Sequence, residues 1–443
     1  MAALAAVGFR DAPPSFGAAA LSFLCALSVC VIAPAGFAAL APRNIWLRLV
    51  YAGFACAAFL AVRRVLLQSG VAIAAPFNVS LGLVVGGAAA FALSLGGPGA
   101  SAALRLGFVG AFAALLGVGG ALGFVALEIV RRDAPSAGPS LAFAAAAALG
   151  AAAPLAAGYA QRFAEGGSGS TAAAFAARDG AALALFAATI AAAMAASDAL
   201  FARAAAFSPA FIAFAIALIA TLAPVFATPA SLALKAPEES VAHRENLRQR
   251  ALEPLMRLFR LLLPPSTALA AITVLLIAAI VVVFEGTTPP APREAFLIAV
   301  TGLAASLIFV SIRTALLLSM LLALSLAFGS LLHGFFPAAT HATARLLAIA
   351  TSAFALSPLC LAWRDARDPR RKAREVMMRA YAAGAPASAL SACLGAAGLA
   401  AAASAEVFSA GGGAALFAVA MTMFSIFIAP AAMISVSALF GRG

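Results

Sequence analysis

Few side chains in this sequence could do chemistry, and they are thinly spread. The densest group is Ala75–Pro76–Phe77–Asn78–Val79–Ser80. A proline inside a long apolar run removes a backbone hydrogen bond and kinks or breaks its helix. Asn78 and Ser80 stand beside such a break, and discontinuous helices near a bilayer midplane often form transporter sites. Ser357 stands next to a second intrahelical proline, Pro358, and further prolines fall inside apolar runs at 34, 154, 209, 224 and 430. Arg313 occupies a tight turn between two apolar runs. Headgroup anchoring is its default role, and substrate or partner contact the alternative. Asn78, Ser80, Ser357 and Arg313 are therefore the candidate substrate path.

The remaining reactive types read as structural. Glu128 lies beside Arg131 and Arg132 and predicts an interfacial ion pair. Asp179 is expected to favour the N-terminus of a span, and Asp198, Glu285 and Glu406 to be solvated at outer span ends. His333 and His341 have no third ligand nearby, so they do not make a zinc site. Cys25, Cys30, Cys56, Cys360 and Cys393 all lie in apolar runs without a C-x-x-C spacing, which predicts packing rather than metal or redox chemistry. No phosphate loop, paired catalytic carboxylates or Ser/His/Asp set is present. No catalytic, metal-binding or cofactor-binding residue is expected, and no enzymatic activity.

What must position these residues is set by hydropathy. Hydrophobic residues are 65% of the 443, charged residues 10%, and the mean hydropathy is +1.07. No single water-soluble core hides so much apolar surface, so the expected solvent is a bilayer. A span needs about 20 apolar residues to cross a hydrocarbon layer about 30 Å thick. Candidate spans are 17–40, 45–62, 71–95, 104–130, 140–160, 173–197, 207–234, 264–284, 295–312, 314–336, 343–363, 384–405 and 411–439. The fold class predicted is an all-α polytopic membrane protein of about 12–13 transmembrane helices. A barrel would alternate over segments of about ten residues, which the sequence does not. The first span is read as retained, since no small-residue cleavage site precedes a mature domain.

Two basic amphipathic stretches interrupt the spans. Lys235–Leu263 carries Arg257 and Arg260, and Trp363–Tyr381 carries Arg370, Arg371, Lys372 and Arg374. Both read as helices lying along headgroups. These six residues are the candidate contacts for anionic headgroups or for a protein partner, and a homo-oligomer is the other association considered. Four spans separate the stretches, so they share a face, which the positive-inside rule makes cytoplasmic. The location expected is a cell inner (cytoplasmic) membrane. Arg63, Arg64, Arg131, Arg132 and Arg203 then fall on the opposite face. The net charge of +12 is accordingly assigned to the membrane surface and not to nucleic acid.

The chain also looks duplicated at an offset near 200 residues. Pro154, Gln161–Arg162 and Arg178–Asp179–Gly180 are answered by Pro358, Trp363–Arg364 and Ala382–Ala383–Gly384, and Pro224 by Pro430. This predicts two pseudo-repeated halves, 1–234 and 264–443, joined by a cytoplasmic amphipathic linker helix, 235–263.

Along 250–439 the sequence resembles one transmembrane half of the resistance-nodulation-division superfamily, in particular its MMPL-type lipid exporters. The resemblance is carried by the lead-in RALEPLMRLFRLLLPP, the short turn at Ser311–Ile312–Arg313, the amphipathic REVMMRAYAAGAPASAL and the last span ALFAVAMTMFSIFIAPAAM. The stretch GYAQRFAEGGSGSTAAAFAARDGAAL resembles the corresponding linker of the first half. Members carry a large extracytoplasmic domain after the first span of each half, where this chain has only EGTTPPAPRE in its second half. Members also tend to hold acidic residues in the fourth span for proton coupling. Here LLAIATSAFALSPLCLAW and SLAFAAAAALGAAAPLAAG hold none. The resemblance implies a fold, and an exporter of lipid or hydrophobic small molecules, better than it implies a proton-driven pump. The alternative function is a non-transporting membrane scaffold or accessory subunit that recruits a partner through its basic helices.

Overall fold

In a computed structural model, residues 120, 121, 124, 138–151, 153–155, 158, 162, 169–201, 207–233, 292–309, 311–331, 342–366, 373–404 and 411–439 are described. Asn78, Ser80, Lys235–Leu263, Arg370, Arg371 and Lys372 lie outside these residues, as do the spans before 104. Among the described residues there are eight α-helices of eight residues or more and no strand. In chain order they are α1 (Gly138–Gly150), α2 (Gly169–Phe201), α3 (Phe207–Ala233), α4 (Pro292–Ile308), α5 (Ile312–Leu331), α6 (Ala342–Asp365), α7 (Ala373–Ser404) and α8 (Gly411–Leu439). Among the described residues five stretches are long and apolar enough to cross a membrane: Gly138–Leu155, Ala174–Phe201, Ile312–Gly329, Ala342–Asp365 and Phe417–Ser437. The helices thus suit a membrane protein, and among the described residues several large apolar side chains face outward. Phe207 is 85% exposed and Leu307 72%, values a water-facing surface rarely tolerates in large side chains.

The bundle is organised around α6, whose span is 94% buried. It packs against every other helix except α3. Close packing around it comes from small residues, because in lipid helices associate through dispersion and backbone approach rather than hydrophobic burial. Along α7, Gly384, Ser388, Ser391, Gly395 and Gly398 recur every three or four residues and form one face. That face is wedged between α6 and α1. A Cβ on Gly384 would stand 2.6 Å from Leu359 Cα, and one on Gly398 would stand 2.7 Å from Ala146 Cα. Larger side chains fill the remaining space: Phe143, Phe186, Phe309 and Phe417 are fully buried, and Phe328 on α5 stacks on Phe424 of α8 at 3.9 Å and 4°.

Several expected boundaries move. Trp363–Tyr381 was expected as a separate surface helix, but the helix from Ala373 runs unbroken through Gly384 to Ser404. Its reason is inward packing at the start: Met377 and Tyr381, one turn apart, are both buried. The tight turn expected at 311–313 lies one to two residues earlier. The Ser311 amide donates to Ser306 O at 3.1 Å, and Ser311 O accepts from the amides of Thr314 and Ala315. Arg313 is thereby in the first turn of α5.

Three helices stand in constant register with three later ones. α1, α2 and α3 begin at 138, 169 and 207, and α6, α7 and α8 begin 204 residues further on, at 342, 373 and 411. The contacts correspond as well. α1 packs on α7 as α6 does on α2, α1 on α3 as α6 on α8, and α2 on α3 as α7 on α8, while α1 and α6 touch each other. At Gly180 on α2 a Cβ would meet Leu155, the residue after Pro154, and at Gly384 on α7 it would meet Leu359, the residue after Pro358.

Gly398→Ala places a methyl against the Ala146 backbone, which cannot yield. It is expected to cost about 1–3 kcal/mol in denaturant unfolding in micelles. Gly158→Ala, where a Cβ meets nothing within 4 Å, is expected to stay within about 0.5 kcal/mol of the parent.

Candidate functional site

The interior of α6 is polar in a controlled way. Pro358 has no amide hydrogen, which leaves the Phe354 carbonyl without its helical donor. The Ser357 hydroxyl donates to that carbonyl at 2.6 Å. One residue beyond the gap, the Leu359 amide donates to Ser388 Oγ on α7 at 3.2 Å. Ser357 is fully buried, so the structure shows this candidate path residue engaged in repairing its own helix.

A second set of hydroxyls joins α6 and α5 to α8. Ser352 Oγ donates to Ala418 O at 3.2 Å, and Thr422 Oγ1 lies 3.0 Å from Ser352 Oγ and 2.9 Å from Ala418 O. Ser325 on α5 hydrogen-bonds Ser425 on α8, and both hydroxyls reach Leu321 O. These are direct interhelical bonds of the kind worth roughly 0.6–2 kcal/mol in a membrane protein. Thr351 Oγ1, Ser391 Oγ and Trp363 Nε1 are buried without a hydrogen-bond partner among the described residues.

Among the described residues charge is confined to the two ends of the bundle. Arg345 and Arg364 stand nineteen positions apart on α6, and Asp179 and Asp198 nineteen apart on α2. At 1.5 Å per residue each pair spans about 28 Å, close to the thickness of a hydrocarbon layer. At one end Arg345 makes a two-pronged contact with Glu294, Nε to Oε1 at 2.7 Å and Nη2 to Oε2 at 2.8 Å. The side chains are 14% and 3% exposed, so this is a buried fork tying α4 to α6. Beside it Arg293 Nη1 contacts Asp198 Oδ1 at 3.2 Å, joining α4 to α2 with both groups half-exposed.

At the other end Arg364 lies between two carboxylates, with Nε 2.8 Å from Asp365 Oδ1 and Nη2 3.6 Å from Asp179 Oδ1. Arg162 sits over the Phe175 ring at 5.0 Å to its centroid, a cation–π contact. Burial raises the Tyr381 hydroxyl above the ordinary tyrosine range, keeping it neutral in this neighbourhood. Among the described residues this end holds Arg162, Arg178, Arg313, Arg364, Arg374 and Arg379 against Asp179, Asp365 and Glu375. The first end holds Arg293 and Arg345 against Asp198 and Glu294, and so balances. The Arg364 end is therefore the basic one. The last residues of α3 and of α6 both lie there, since α2 and α3 form an antiparallel hairpin and Asp179 meets Arg364.

These positions revise several expectations. Asp179 is not at the opening of its helix, because α2 starts ten positions earlier at Gly169. It pairs with Arg364 instead of capping. Asp198 is ion-paired rather than merely solvated. The Glu294–Arg345 fork was missed altogether: Glu294 sat in an apparent loop, and its partner is 51 residues away. The signal available was Pro292 with an acid two positions on, a helix-start pattern. Arg313 is partly buried at the basic end of α5, and Ser357 lies about two turns inside α6, so they occupy different levels. Arg374 opens α7 at the basic end.

Arg345→Ala removes both prongs of the fork from the buried Glu294 carboxylate and is expected to destabilise by about 3–5 kcal/mol. The double variant Glu294→Leu/Arg345→Leu is expected to be more stable than Arg345→Ala. Asp198→Ala, at an exposed pair, is expected to cost less than about 1 kcal/mol on the same unfolding scale. Ser388→Ala frees the Leu359 amide and is expected to cost about 0.6–2 kcal/mol. No protein-family model, curated protein or solved structure matches the chain.

Proposed function

We propose that this chain is a multi-pass inner-membrane protein of two related six-span halves, arranged like a resistance-nodulation-division permease without its extracytoplasmic domains. We further propose that it moves a lipid or another hydrophobic molecule across the bilayer. The observation that carries this reading is the constant register of 204 residues between α1–α3 and α6–α8, with helix contacts that correspond pair by pair. Related halves meeting at α1 and α6 are the architecture in which one half rocks against the other. The arginine excess at the Arg364 end supports a cytoplasmic assignment for that end. Between the ion pairs at the two ends, the small-residue contact of α1 with α7 favours a hydrophobic cargo over an ion.

The second reading, a scaffold that recruits a partner through its basic end, draws on a different observation. The contact of α1 with α7 is at backbone distance, and neither α1 nor the interior of α6 carries a carboxylate to couple to protons. On this reading Arg257, Arg260, Arg370, Arg371, Lys372 and Arg374 are the recruiting surface.

Purified protein in phosphatidylethanolamine/phosphatidylglycerol vesicles separates the two. Transport predicts that a fluorescent phospholipid changes leaflet faster than in protein-free vesicles, read by dithionite quenching. Movement equal to the empty vesicles would remove the transport reading. Alanine substitution across Arg370–Arg374 that abolishes a co-purifying partner, with insertion intact, would support the scaffold.

A further inference from the structure

Among the described residues, the ion pairs between helices fall into two kinds that divide along the proposed halves. The Glu294–Arg345 fork is buried, two-pronged and internal to the C-terminal half, so it fastens α4 to α6. The other two cross between the halves, and both are made by α2. Asp179 reaches Arg364 on α6 at 3.6 Å, and Asp198 reaches Arg293 on α4 at 3.2 Å. Each is a single contact between groups about one-third exposed or more, which solvent can replace at little cost. Between the two acids α2 carries no charge: Ala184, Ala187, Ala188 and Ala191 are fully buried beside Leu183, Phe186, Ile190 and Met194, and near mid-helix Phe186 packs on Phe309 with ring centroids 5.2 Å apart.

We propose that Asp179–Arg364 and Asp198–Arg293 are alternating latches at the two ends of one lever, α2. This rests on the two-half reading above. The acids are about 28 Å apart along the helix, so a tilt of about 10° about its middle moves each end about 2.4 Å, in opposite directions. That displacement carries either ion pair beyond contact distance, while side-chain rotation keeps the other made. Both pairs are made in this structure, which is thus the form with both latches closed. Opening the basic end releases Asp179 and holds Asp198, and opening the far end does the reverse. The buried fork keeps the surface that α2 rocks against from deforming.

Full-length protein in nanodiscs, with its five cysteines replaced, tests this through two reporters. Ala176→Cys near Asp179 and Ala199→Cys near Asp198 are both buried in the closed form, at 2% and 9% exposure. With Asp179→Asn, labelling of Ala176→Cys by a membrane-impermeant maleimide is expected to rise at least about fivefold, and that of Ala199→Cys to fall. Asp198→Asn is expected to give the mirror image. The swap Asp179→Arg/Arg364→Asp, which restores the pair, is expected to return both rates to the parent values. Labelling that rises only at the substituted end, or at neither end, overturns the latches. Reciprocal labelling without lipid movement in vesicles keeps the latches and removes transport. Lipid movement without reciprocity removes the latches alone.

Discussion

A helix in lipid gains nothing from hiding apolar side chains against another helix, since the lipid is as apolar as its neighbour. What it gains is contact, and contact improves as backbones approach. The small face of α7 is the consequence here. Because Gly384 and Gly398 carry no Cβ, α7 lies against Leu359 of α6 and Ala146 of α1 at distances no larger residue allows. The burial of α6 by six neighbours follows from such approaches, and so does the absence of long side chains between α1 and α7.

The same solvent forbids loose polar groups. Each departure from an ideal helix ladder must be met within the protein. Pro358 is the test, and the adjacent Ser357 and the facing Ser388 meet it. Charges obey a related rule by staying at the ends, 28 Å or so apart, where water reaches them. Glu294 and Arg345 are the exception, buried together because two parallel contacts compensate for the water they lose.

Much of the fold was legible in the sequence because hydropathy is a local signal. The starts of α3 and α8, at 207 and 411, coincide with the span starts read from composition, and α6 differs by one or two residues at each end. Misreadings arose where local signals point two ways. The basic, amphipathic opening of α7 has the composition of a surface helix, yet Met377 and Tyr381 bind it to the bundle. Ion pairs were the least legible, because partners 51, 95 or 185 positions apart leave no trace in spacing. Ser357 was noticed for its neighbouring proline. Its hydroxyl's bond to the carbonyl three residues back follows from that adjacency.

The enclosure of α6 also bears on how the protein is made. Ribosomal synthesis delivers α6 before α7 and α8 exist, yet Ser388 on α7 receives its Leu359 amide and Ala418 on α8 receives its Ser352 hydroxyl. Until those later helices emerge, the central element of the bundle carries polar groups with no companions inside the membrane. Its lateral release from the insertion machinery is best delayed, or shielded by a chaperone, until the final hairpin arrives. The polar contacts of α6 are complete only once α7 and α8 are in place.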